Sequence, residues 1–169
     1  MIDLKNSVKT AVGGLCAALS IVLMFLGGIS SVFVYAVPML LGTLMCMLKK
    51  TFGARCAIGV YISVSILSFV LVADKECVLM YALFFGYYPI IKDSVEKIKC
   101  RLFMLLAKFL TFNLCIAAAE LVSFYAFGIP FFDDGKFSVW FIALFAALMN
   151  LLFVLYDIML NRFYLFYQL

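Results

Sequence analysis

Six apolar runs, parted by short polar or glycine-bearing breaks, decide what this chain can fold into. They fall at residues 8–26, 32–48, 54–72, 78–91, 102–127 and 137–160. A helix needs about 20 apolar residues to cross a bilayer. The chain has 169 residues, 68% of them hydrophobic and 13% charged, against roughly 25% charged in a soluble domain. Lipid is therefore the solvent for most of it. The expected fold is an all-α membrane protein, a six-transmembrane-helix bundle forming a single integral membrane domain over 1–169. No linker or low-complexity tract interrupts it.

The breaks lie at 27–31, at Lys49-Lys50, at Asp74-Lys75-Glu76, over 92–101, and over 129–136 with its Asp134-Gly135 turn. Their charges set orientation. Lys5, Lys9, Lys49, Lys50, Arg55, Lys92, Lys97, Lys99, Arg101 and Arg162 fall on one side, and only Lys75 and Lys136 on the other. By the positive-inside rule both termini are cytoplasmic and the number of crossings is even. The net charge of +4 is thus a topology signal, and no nucleic acid partner is expected. Asp74, Glu76, Asp133 and Asp134 read as a solvated outer surface. Lys5 and Lys9 ahead of an apolar run resemble a secretory signal, but the run is long and five more follow, so it is read as a retained first span.

Histidine is absent and the six cysteines form no CxxC pair. Neither a metal site nor a disulfide framework is expected, and no cofactor is implied. The thiols read as small apolar packing residues.

Ionised groups inside a bilayer cost about 3 kcal/mol or more and persist where they find a partner, a cavity or the interface. Lys108 in the fifth span and Asp157 in the sixth share a depth near the cytoplasmic side, so an ion pair is expected, either structural or part of a coupling device. Asn113 and Asn150 match near the middle, either as interhelical glue or as the floor of a site. Glu120 differs. It lies about 27 Å above Leu102, in the outer third, where no basic residue of the spans matches its depth. It points the same way as Asn113, with Ala117 between them. The facing stripe of span six carries Ala143, Ala146, Ala147, Asn150 and Asp157. Two readings are open for Glu120: the wall of a water-accessible, outward-facing pocket, or a packed, protonated or snorkelling side chain.

Aromatic residues make up 17% of the chain. Phe163, Tyr164, Phe166 and Tyr167 suit an interfacial belt. Trp140, Tyr125, Tyr35 and Tyr81 fall near the outer half, where rings beside a carboxylate suit a flat heteroaromatic ligand or a cation. The fourth run is short and ends in Gly86-Tyr87-Tyr88-Pro89. It is either irregular backbone lining a cavity or a tilted or re-entrant helix. In span one, Gly13/Ala17 and Gly14/Ala18 are small-xxx-small pairs that allow close helix approach, by a neighbouring span or by a second protein.

This layout resembles the S component of energy-coupling factor (ECF) transporters, the small membrane subunits that capture vitamins and other micronutrients for an ATP-driven module. The stretch FFGYYPIIKDSVEKIK, residues 84–99, is similar to S-component-like proteins of Gram-positive anaerobes. The resemblance implies a multi-pass protein of a bacterial cell membrane. It also implies a substrate-capture role, with a transmembrane coupling subunit and two ATPase subunits as partners. The family's A-x-x-x-A docking surface would correspond to Gly14 and Ala18, or to Gly13 and Ala17, with glycine in place of the first alanine. The family's outward ligand site would correspond to Glu120, Asn113, Tyr81, Trp140 and Asn150, with 27–31 as lid. The chain has no GxxxxGK[ST] loop, so ATP hydrolysis would come from partners and the chain is not expected to be an enzyme. The rival reading is a non-transporting membrane scaffold similar to the rod-shape protein MreD, whose polar groups would pair with one another.

Overall fold

The computed structural model describes residues 2–27, 33–128 and 139–166, which are helical almost throughout and contain no strand. In chain order the elements are α1 (Ile2–Gly27), α2 (Phe33–Phe52), α3 (Ala54–Leu71), α4 (Lys75–Met80), a π-helical turn (Tyr81–Phe85), α5 (Tyr88–Val95), α6 (Arg101–Phe127) and α7 (Val139–Phe166). Helices α1, α2, α3, α6 and α7 are long and apolar enough to cross a membrane. The chain is an all-helical integral membrane protein. These five match the expected runs to within a few residues, and their outer faces are apolar, as at Leu15, Val70, Leu110 and Leu114.

Two compact units divide the chain, Met1–Ser94 and Val95–Leu169. In the first, α2 buries Val34, Val37, Leu41, Met45 and Leu48, a spacing of three and four that makes one helical face. Ala57, Val60 and Val64 do the same on α3 and meet it, together with Met24 of α1 and Val78 and Tyr81. Gly53 alone joins α2 to α3, and five residues separate α1 from α2. Packed neighbours with such short links run antiparallel, so α1 and α3 run the same way. Their approach is close, since a Cβ on Gly13 would lie 3.1 Å from Val60 Cγ2.

The turn expected at Lys49-Lys50 falls instead at Gly53. Cations are favoured in the last turn of a helix by its dipole, so α2 runs through both lysines. Gly53 then takes φ 92° and ψ 164°, a conformation open essentially to glycine alone. The loop charges read as a solvated surface are also structural here. Asp74 Oδ1 accepts from the backbone N–H groups of Glu76 (3.1 Å) and Cys77 (3.3 Å) at the start of α4. Lys75 Nζ donates to the Phe69 and Val72 carbonyls at the end of α3. Tyr35 OH donates to Glu76 Oε1 at 2.7 Å. Asp133, Asp134 and Lys136 lie outside the described residues.

The fourth run is not one helix. It occupies α4, the π turn and α5, and is buried along much of its length, including Cys77, Tyr81, Phe84 and Tyr88. The π turn closes with Gly86 N–H donating to Tyr81 O at 2.8 Å, and Pro89 has no N–H to give. The π turn gives the Gly86 N–H to Tyr81 O and so takes it from Ala82 O, and a carbonyl without its ordinary helical donor needs another in an apolar setting. Tyr61 OH donates to Ala82 O at 2.6 Å, and Lys49 Nζ to Ile90 O at 2.7 Å while pairing with Asp93 Oδ2 at 2.6 Å. Gly86 is required for a separate reason: a Cβ there would lie 2.7 Å from Tyr61 Cδ2 and 2.9 Å from Tyr81 Cζ. Tyr81 is fully buried and its ring lies 5.9 Å from that of Tyr61, so neither ring can yield cheaply. Gly86→Ala should therefore destabilise the protein by about 1–3 kcal/mol. Tyr61→Phe, which removes only the hydroxyl, should cost about 1 kcal/mol. Reversible denaturation in mixed micelles, which reads both values, checks the order.

Candidate functional site

Polar groups of the second unit stand at successive depths on α6 and α7. The buried stripe of α6 runs Lys108, Phe112, Ile116, Ala119, Glu120 and Ser123, and that of α7 runs Met149, Phe153, Tyr156 and Leu160. Phe112 stacks on Phe153 at 4.7 Å between ring centres, with Phe109 edge-on at 5.4 Å. The aromatic contact and the polar pairs share one antiparallel register.

Near the start of α6, Lys108 is 4% exposed and its Nζ lies 3.0 Å from Asp157 Oδ2 and 2.9 Å from Glu96 Oε1. The expected Lys108–Asp157 pair is present, and it has a third member. Glu96 sits in the polar break before α6, where its sequence position does not announce a partner in the spans. The only signal was its place twelve residues before Lys108, on a chain that turns back towards it.

One level further along, Asn113 Nδ2 donates to Asn150 Oδ1 at 3.0 Å and Asn150 Nδ2 to Asn113 Oδ1 at 3.1 Å. Each amide gives its second hydrogen to the carbonyl one turn back, Phe109 O at 2.8 Å and Ala146 O at 2.7 Å. Both amides are therefore closed as donors, which is the arrangement of interhelical glue.

Glu120 is 9% exposed and engaged with another group of the protein. A pocket there cannot be argued from an unpartnered carboxylate. Its neighbour on the same face, Ser123, is 2% exposed, and its Oγ makes no hydrogen bond among the described residues. Ser65 and Ser68 of α3 and the Tyr81 hydroxyl are in the same state among the described residues, while Ser20, Ser63, Thr51 and Thr111 each donate to the carbonyl four residues back, as hydroxyls in helices do. What sets Ser123 apart is its place one turn from Glu120 on the same buried face. The three-residue spacing from Glu120 to Ser123 is the sequence signal for that shared face.

The other expected ligand residues scatter. Trp140 is 86% exposed and stands on the surface of α7. Tyr81 belongs to the first unit, buried beside Tyr61 and Gly86. Of the five residues expected to share a site, Asn113 and Asn150 contact one another. Of the expected lid, 28–31 lie outside the described residues. On α1, Gly13 is buried against α3, Ala17 is partly buried, and Gly14 and Ala18 are exposed. The two small-residue pairs thus have different surroundings: Gly13/Ala17 serves the internal α1–α3 contact, and Gly14/Ala18 faces out.

Among the described residues no group of histidine, cysteine, aspartate or glutamate is placed to hold a metal ion. Comparison with known protein families, with characterised proteins and with solved structures finds no match.

The Lys108 cluster yields a stability prediction. Removing the lysine leaves two partly exposed carboxylates, Asp157 and Glu96, without their shared cation. Lys108→Met should cost about 1–3 kcal/mol, the scale for a hydrogen-bonded charged partner lost. Glu96→Gln should cost less than about 1 kcal/mol, because Glu96 is 35% exposed. Unfolding of both variants by the same detergent titration gives the ratio.

Proposed function

We propose that this chain is the substrate-capture subunit of an ECF-type ATP-driven importer, binding a vitamin-like micronutrient at the outer end of α6. The observation that carries this reading is the Ser123 hydroxyl, buried beside Glu120 with no hydrogen bond of its own. Leaving such a group unmet costs about 1–3 kcal/mol. A ligand that accepts from the hydroxyl, and donates to or is polarised by the carboxylate, supplies what the helix does not. In this reading Asn113 and Asn150, bonded to each other, support the floor of the site within the second unit.

Six crossings belong to the same proposal. Lys75–Val95 spans 21 residues, roughly 31 Å as helix, which matches a hydrocarbon core of about 30 Å. The broken segment is then the sixth crossing, and both termini are cytoplasmic. The exposed Gly14/Ala18 face is the docking surface for the coupling subunit, Gly13 and Ala17 setting its backing on α3, and two ATPase subunits complete the module in a bacterial cell membrane.

A second reading has its own support. The Asn113–Asn150 pair and the Lys108 cluster are closed by internal partners, which is what a non-transporting scaffold of the MreD type needs. Ser123 separates the two. Ser123→Ala should leave stability unchanged or raise it by about 1 kcal/mol, since it removes an unmet hydroxyl, while lowering retention of the co-purified small molecule about tenfold. Glu120→Gln should lower uptake with the fold intact. Native mass spectrometry of wild type and both variants reads the bound molecule, and a wild-type protein that carries none, with uptake unchanged in Glu120→Gln, returns the scaffold. On the partner side, a Cβ at Gly14 meets nothing within 4 Å, so Gly14→Leu should fold and lose co-purification of the coupling subunit. Normal yield of the complex would count against that surface.

A further inference from the structure

Between α1 and α3 the first unit has an open groove of about 350 Å³. Missing side chains create it: a Cβ on Gly14 or on Gly59 would meet nothing within 4 Å. Lys9 and Arg55 stand among its lining residues, and among the described residues no carboxylate does. Arg55 lies at the start of α3 and Lys9 at the start of the apolar span of α1, both on the lysine- and arginine-rich side of the chain, so the charged mouth lies at the cytoplasmic interface. From there the groove runs on over Gly13, Gly14, Gly59 and Val60, into the depth of the acyl chains.

The groove is open on one side rather than enclosed and passes Gly13, Gly14 and Gly59. A single acyl chain is slim enough to follow it along two helical turns. Charge decides the rest: a lysine offers a compact point charge and an arginine a planar fork of donors, and together they suit a phosphate.

We propose that the groove binds one anionic phospholipid, its phosphate held between Lys9 and Arg55 and one acyl chain lying over Gly13, Gly14 and Gly59. The site is independent of the transport reading. It shares Gly14 with the docking face, whereas Arg55 and Gly59 belong to the groove alone, so the two ideas fail separately.

The test reconstitutes the full chain in vesicles of phosphatidylcholine doped with phosphatidylglycerol and counts retained lipids by native mass spectrometry. Two interfacial cations at about fivefold each predict roughly thirtyfold preference for phosphatidylglycerol. The double variant K9Q/R55Q should abolish the preference. K9R/R55K should keep most of it, and Gly59→Leu should reduce retention of both lipids by filling the groove from α3. Arg55 is exposed and Lys9 only partly buried, and a circular-dichroism check establishes that the fold is kept. If the double variant does not fold, K9Q alone should lose about fivefold. Equal retention of the two lipids by the wild type would overturn the proposal. So would a preference that survives K9Q/R55Q, release of the lipid by inorganic phosphate (which would mark a free-ion site), or a second copy of the chain found in the groove in place of lipid.

Discussion

In hydrocarbon a backbone carbonyl has no water to turn to, and the first unit is arranged around that fact. Its segment from Lys75 to Val95 leaves α-helical geometry at Tyr81 and passes through Gly86 and Pro89, so the ordinary ladder of donors is broken. Tyr61 of α3 reaches Ala82 O, and Lys49 of α2 reaches Ile90 O and the Asp93 carboxylate. The break and its remedy are one design. It also explains why α2 runs on to Phe52: Lys49 has to sit on a helix, in the last turn, to reach Ile90. Gly53 must then reverse the chain in a single residue.

The five long spans were legible from run length alone, because a bilayer asks for length and apolarity and little else. Register was legible where depth could be counted: Lys108 against Asp157, and Asn113 against Asn150. What could not be read was a contact made where the chain leaves a regular span, since depth cannot be counted there. The 78–91 run carries Gly86 and Pro89, yet nothing local says that Tyr61 would meet Ala82 O or that Lys49 would meet Ile90 O. Glu96 escaped for the same reason, since a charge in a polar break gives no hint that the chain folds it back onto Lys108. Asp74 and Glu76 read as solvated loop charges, although Asp74 ahead of Lys75-Glu76 is readable as an N-cap.

The candidate site was only partly legible. Helical arithmetic put Asn113 and Glu120 in one direction, but the cover over that direction differs along α6: Asn113 is exposed and Glu120 buried. Depth counting also asked whether Glu120 had a basic partner, when the more informative atom was one turn away. A serine in a helix is easily passed over because it normally satisfies itself on the carbonyl four residues back. The departure of Ser123 from that habit can be seen only in coordinates.

The same contrast between self-satisfied and outward-looking groups runs through α1. Gly13 and Gly14 are adjacent, about 100° apart on the helix, and their surroundings differ accordingly. A Cβ on Gly13 would press on Val60, so that glycine exists for the contact between two parallel spans. A Cβ on Gly14 would meet nothing, so no internal packing requires a glycine there. Glycine in a helix interior costs about 1 kcal/mol relative to alanine, and at Gly14 and Gly59 the fold gains no contact in return. Two such positions facing one groove, with Lys9 and Arg55 at its mouth, make that surface the part of the first unit whose composition packing alone does not account for.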